Sequence, residues 1–157
     1  MNEEKIDTAD VEKMLRHLAN IIPVDNLRLF GCQCCRNITT TCKDDLFEEL
    51  IDFGQSRSCG LLDTDRLALL RTKASNIYDR LYPGYGAPSA KALAFSAAGE
   101  VAFTESSLIA AINAAEFAAK TAGTVAAGTS SDIDFDLAFE RAYASERAIQ
   151  MQLLKRL

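Results

Sequence analysis

The chain lacks tryptophan, has one histidine and three prolines in 157 residues, and contains no apolar run near the roughly 20 residues needed to cross a bilayer. A membrane span is therefore not expected. A lone histidine, His17, with no E-x-x-H pair, leaves a carboxylate-histidine metal site of the helical-bundle kind without its ligands. Basic runs are also missing. The 17 Lys and Arg are scattered among 22 Asp and Glu, for a formal charge of −5, and a nucleic-acid partner would want a basic stripe. No glycine-rich stretch has the spacing of a phosphate cradle. The opening residues MNEEKIDTAD hold no apolar signal core, and five cysteines, an odd number with two adjacent, fit a reducing compartment. The expectation is a cytoplasmic protein.

What is present is helical periodicity. Asp7 or Thr8 caps a first helix with an apolar stripe of Val11, Met14, Leu15 and Leu18 that ends before Pro23. A cysteine-rich helix follows, with Asp25 as its expected N-cap. The spacing predicts a third helix over 44–53, burying Leu46, Phe47, Leu50 and Ile51 and stopping near Gly54. Thr64 opens a fourth, on which Leu67, Leu70, Ala74, Ile77 and Leu81 keep the helical period. Residues 82–88, YPGYGAP, cannot continue any helix and separate the N-terminal helices from alanine-rich C-terminal ones. Ser89 caps a helix to about Phe103, and Thr104 or Ser106 begins another to about Thr121. Residues 123–131, GTVAAGTSS, read as a small-residue loop, and a last helix starts between Asp132 and Asp136 and runs to Leu157. Strand signals are weak throughout. The sequence thus predicts an all-α, single-domain bundle of about six or seven helices spanning residues 1–157.

Three of the five cysteines crowd into Leu27 to Ile38, LRLFGCQCCRNI. On a wheel, Leu27, Phe30, Gly31, Cys34 and Ile38 share one face with Cys35 at its flank, while Cys32 points to the far side, roughly 160° from Cys34. Three thiolates on one regular turn cannot all ligate one ion. Cys32 and Cys35 do form a C-x-x-C pair, the candidate metal or redox site, but about two turns inside the helix rather than at the N-terminus where a dipole stabilises thiolate. Packed thiols serving as small core filler are the competing account. No cofactor is expected.

The segments KMLRHL (Lys13 to Leu18), LRLFGCQCCR (from Leu27) and ERAIQMQLLKRL (Glu146 to Leu157), with an alanine-rich middle, resemble a bacterial helical domain family of unknown function, abundant in planctomycete-type bacteria. Its members carry P-M-L-x-x-L, L-R-L-F-A-C-x-C-C-R-R and E-R-x-x-Q-x-x-L-L-R in that order. The likeness runs from Val11 to Leu157. The chain departs from it at Lys13 (Pro in the family), Gly31 (usually Ala) and Asn37 (a second Arg), and lacks the family's tryptophans. The resemblance implies a helical fold and, because such domains often occur in multi-domain proteins or beside immunity-type domains, an interaction or regulatory role. It transfers no activity.

Four further features need weighing. Asp132, Asp134 and Asp136 spell the start of a calcium loop, but Leu137 stands where glycine is needed and Tyr143 where the closing glutamate belongs, so helix-capping acids are the simpler account. His17 reads as a partly exposed polar residue rather than half of a Cys–His nucleophilic pair. The helix from Ser107 to Lys120 has only a narrow polar strip of Asn113, Glu116 and Lys120, so it is central in the bundle or covered by another protein or a second copy. Ile109, Ala110, Phe117, Tyr82 and Tyr85 are the candidate interaction surface. Finally, Glu146 falls within an apolar stripe of Phe139, Ala142, Ile149, Leu153 and Leu157, which predicts a buried ion pair with Arg28 or, less well placed, Arg36. The leading functional expectation is a non-catalytic helical protein-interaction or regulatory module. A cysteine-based metal or redox protein, and an enzyme of unidentified class, are the alternatives.

Overall fold

The computed structural model describes residues 8–82, 84, 86–129 and 134–157. Among these residues lie seven helices and no strand: α1 (Thr8–Leu18), α2 (Val24–Asn37), α3 (Asp45–Ser58), α4 (Thr64–Leu81), α5 (Ala90–Phe103), α6 (Ser107–Thr129) and α7 (Phe135–Leu154). Most starts are capped as local chemistry requires. Asp44, Asp63, Ser89 and Asp134 accept backbone N–H bonds from Leu46, Arg66, Ala92 and Leu137, each satisfying a donor that has no partner within its helix. Asp63, not Thr64, therefore caps α4. Helix α2 begins directly after Pro23 with no side-chain cap, so Asp25 lies in its first turn rather than at its cap. Asp7 and the side chain of Thr8 lie outside the described residues.

Helix α6 is the axis of the bundle and packs against α7, α5, α2 and α1. Its alanines Ala110, Ala111, Ala114, Ala115, Ala118 and Ala119 are fully buried, and side chains this short let neighbouring helices close in. Helix α5 is the second inner element, against α6, α3, α2 and α4. Two glycines make its approach possible. A Cβ at Gly31 of α2 would lie 2.9 Å from a Val101 methyl, and one at Gly54 of α3 would lie 2.9 Å from the Val101 carbonyl oxygen. One core runs from Val11 and Leu15 through Phe47, Phe53 and Phe95 to Leu154, so helices on both sides of the 82–88 break share it. Within that break Gly84 and Gly86 take positive φ of 85° and 76°, which suits glycine and ends α4.

Two helix ends differ from expectation. Helix α3 continues past Gly54 to Ser58, because Gly54 is a packing glycine under α5 rather than a terminator. Helix α6 continues to Thr129, through most of the segment expected to be a loop. The reason is long-range: Gly123 sits under the Phe139 ring, with a Cβ there 2.6 Å from a ring carbon, so the glycine serves the α6–α7 contact.

Candidate functional site

Helix α2 carries the segment with the most chemistry, and it is buried on more than one side. Leu27, Phe30, Gly31, Cys34 and Cys35 are in the core as the wheel predicts, but so is Cys32, whose Sγ lies 3.8 Å from the Ile51 carbonyl oxygen of α3. The expectation that Cys32 faces away from the core is corrected by α3, which covers that side. Burial pushes the Cys32 thiol up to about 11, against the opposing charges of Arg36 and Arg28. Burial likewise holds Cys34 and Cys35 well above the ordinary thiol value. Metal ligation and disulfide exchange both need thiolate, which these surroundings disfavour. All five cysteines are free, and among the described residues no group of three His, Cys, Asp or Glu side chains is placed to hold a metal ion. An open cavity of about 230 Å³ between α2 and α3 is lined by Leu29, Cys32, Gln33, Arg36 and Gln55.

Arg28 is almost wholly buried, but its partner is not Glu146. Its Nη1 donates to the Val101 carbonyl at 2.7 Å, its Nη2 to those of Thr104 and Glu105 at 2.6 and 2.8 Å, and its Nε to Ser107 Oγ at 3.3 Å. These groups lie where α5 ends and α6 begins, so the guanidinium satisfies carbonyls that have no partner within α5 and sits at the negative end of that helix. Arg57 of α3 donates to the Ala102 carbonyl at 3.0 Å, giving the same helix end a second cation. Burial first, then the nearby Arg57 charge, draws the Arg28 pKa down from its usual value, although arginine remains charged at any ordinary pH. Arg36 is not the partner of Glu146 either. It donates to Gln55 Oε1 at 2.6 Å and reaches Asp52 at 3.5 Å.

Glu146 itself is 7% exposed, as its placement in a buried stripe predicts, but the stripe holds only in part: Phe139, Ala142 and Leu153 are half-buried, with Leu153 packed on the core and Phe139 over Gly123. Ile149 is 47% exposed and Leu157 lies at the surface, whereas Glu146, Arg147, Gln150 and Leu154 are the buried residues of α7. The inner face of α7 is thus polar at helical spacing. Arg147 Nη2 donates to Glu116 Oε2 of α6, which also accepts the Tyr143 hydroxyl proton at 2.7 Å, and Lys120 lies 3.6 Å from the other Glu116 oxygen. Arg147 Nη1 donates to Gln150 Oε1 at 3.0 Å, and Gln150 Nε2 donates to the Ala115 carbonyl at 2.9 Å. Within this network Glu146 Oε1 and Arg147 Nε have no partner among the described residues. Burial raises the Glu146 carboxyl above the ordinary carboxylate range, against the side chains of Asn37 and Gln150 and the Arg147 charge.

The expected interaction surface divides. Ala110 is fully buried and Phe117 packs on the core, so this part of the apolar surface of α6 is covered by this chain's own helices. Ile109 is at the surface. Tyr82 is half-exposed, with its hydroxyl donating to the Ala92 carbonyl at 3.1 Å and also bonded to Ser96 Oγ at 2.6 Å, and Tyr85 lies outside the described residues. Asp132 lies outside them too, while Asp134 caps α7 and His17 is exposed on α1. Sequence reasoning missed Arg57, Glu116, Tyr143, Arg147 and Gln150 as structural polar groups. Their signal was available for α7, where Tyr143, Glu146, Arg147 and Gln150 recur at three- and four-residue steps. Comparison with protein-family models, with curated proteins and with solved structures finds no match to this chain.

Proposed function

We propose that the chain is a non-catalytic helical module that engages another protein through the outer face of α4. The observation that carries this is the uneven coverage of the bundle. Of α4 only Leu70 and Ala74 are buried, and the helix packs on α5 and α3 alone among elements with more than marginal contact. Leu61, Leu62 and Leu69 are 66%, 49% and 56% exposed. Helical spacing puts Arg66, Lys73 and Arg80 on the side of Leu69 together with one acid, Asp65; Arg66 lies over the Phe53 ring and Lys73 lies 3.6 Å from Glu49, and the face joins leucine to a surplus of positive charge on a chain whose net charge is −5. It suits a partner segment that combines acids with apolar side chains, and exposed apolar residues rimmed by charge are typical of such surfaces. The tethers that hold α4 leave this leucine free: Tyr78 donates to the Phe95 carbonyl at 2.9 Å, and Arg71 lies over the Phe103 ring at 5.9 Å.

The free cysteines support a reducing, cytoplasmic setting for this module. Its helical architecture and paired Cys-rich and E-R-x-x-Q segments also support membership of the bacterial domain family they resemble. The test is photo-crosslinking in the native cell from a reactive residue at position 69, with position 149 on α7 as the control. The expected result is a discrete adduct from position 69 that is lost in Arg66→Glu/Arg80→Glu. Equal yields from both positions, or no adduct from α4, would overturn the reading.

A further inference from the structure

We propose that Glu146 is an acid-sensitive latch: as a neutral carboxyl it lets α7 lie close on α2 and α6, and on ionisation it loosens the C-terminal half of α7. This stands apart from the interaction reading, since α7 packs on α6, α1 and α2 whereas α4 packs on α5 and α3. Its basis is the shortage of countercharge around Glu146, a buried residue only 7% exposed. On α7, Arg147 is adjacent, but its Nη2 goes to Glu116 and its Nη1 to Gln150, whose own amide goes to the Ala115 carbonyl. On α6, the charged residues of this network are Glu116, itself an acid, and Lys120, which is turned to the far oxygen of Glu116. On α2, Asn37 is within hydrogen-bonding reach of the Glu146 carboxyl, as Gln150 is on α7, but both are neutral amides; Cys34 is near, and Arg28 and Arg36 are engaged elsewhere. On α1, which also packs on α7, Val11 and Leu15 are buried while Glu12, Lys13, Arg16 and His17 are exposed. Glu146 Oε1 has no partner among the described residues.

A carboxylate in such a place loses hydration without gaining a dedicated cation, so the neutral acid is the form that fits. The raised pKa of Glu146 agrees. The folded chain then keeps a proton that the unfolded chain releases. Stability is greatest below the ordinary carboxylate pKa and falls as pH rises through the folded-state value. Because α7 meets α2 over a much smaller contact than it meets α6, the α2 seam is where ionisation is most easily relieved.

The experiment compares the full chain with Glu146→Gln, a neutral near-isostere, from about pH 4 to about pH 8. Side-chain carbon NMR should place the Glu146 titration above ordinary glutamates of the same chain. Amide exchange, corrected for its intrinsic pH dependence, should show the opening constant of α7 rising by up to about tenfold per pH unit through that titration in the native chain, and staying flat in Glu146→Gln. A Glu146 carboxyl that titrates with the exposed glutamates would overturn the proposal, as would equal pH profiles for α7 opening in the two chains. Should Glu146→Gln fail to fold, the NMR titration and the exchange profile of the native chain decide alone.

Discussion

Helices α2 and α7 both pack on α6 and both carry an ionisable group into the interior, and they do so in opposite ways. Arg28 of α2 reaches across to a helix end, where several carbonyls need donors and the local field is negative. Glu146 of α7 enters a face whose one nearby cation is already taken by Glu116. The contrast teaches that the cost of burying a charge depends on what the surrounding backbone offers. A helix C-terminus supplies acceptors that would otherwise be unsatisfied, so Arg28 and the end of α5 solve each other's problem. The middle of a helix has no unpaired backbone N–H to offer a carboxylate such as Glu146.

The sharpest way to break this comparison is Arg28→Met. It strands the carbonyls of Val101, Thr104 and Glu105 at a buried corner, and should cost about 3–5 kcal/mol in urea unfolding. Arg28→Lys should recover only part of this, since an ammonium has its three donors on one nitrogen and cannot span the four acceptors that Nε, Nη1 and Nη2 reach. A loss for Arg28→Met smaller than about 1 kcal/mol would remove the staple from the account. Next come the glycines under α5. Gly54→Ala and Gly31→Ala should each cost about 1–3 kcal/mol, with Gly54 the worse because its Cβ would meet the backbone of Val101 rather than a methyl that can turn. The reverse order of the two melts would contradict the packing. Cys34→Ala should cost roughly 1–2 kcal/mol as the loss of a packed sulfur, with no change in bound metal. Smallest is Glu146→Gln, expected within about 1 kcal/mol of the native chain near neutral pH and on the stabilising side. A large destabilisation there would show that Glu146 has the strong partner the geometry denies it.

How far these features could be read beforehand follows from the range of the forces that set them. The stripes of α1 and α4, the cap at Ser89 and the core face of α2 depend on neighbours within a few residues, and the sequence displays them. The end of α6 does not. Gly123 and its small neighbours look like a loop until the Phe139 ring arrives from another helix. On α7 the apolar residues Ile149 and Leu157 were expected on the inner face and lie at the surface, while the packed face includes Tyr143, Glu146, Arg147 and Gln150, whose burial depends on acceptors contributed by α6. The partner of Arg28 was the least legible of all. Backbone carbonyls at a helix end are present in every sequence and identified by none.

The staple at Arg28 also orders events during synthesis. Its acceptors lie 73 to 79 residues further along the chain. At a ribosomal rate of about 5–20 residues per second, roughly 4 to 16 s separate the addition of Arg28 from the addition of its partners. Through that interval Cys34 and Cys35 belong to a nascent segment without the helices α5 and α6 that later enclose it, so the burial that raises their thiols in the finished chain is not yet complete. Cys32 is covered early, by α3, whose Ile51 follows it by 19 residues, while the burial of Cys34 and Cys35 is completed late, by helices from the second half of the polypeptide. An oxidant acting on the growing chain meets a more reactive protein than one acting on the finished chain.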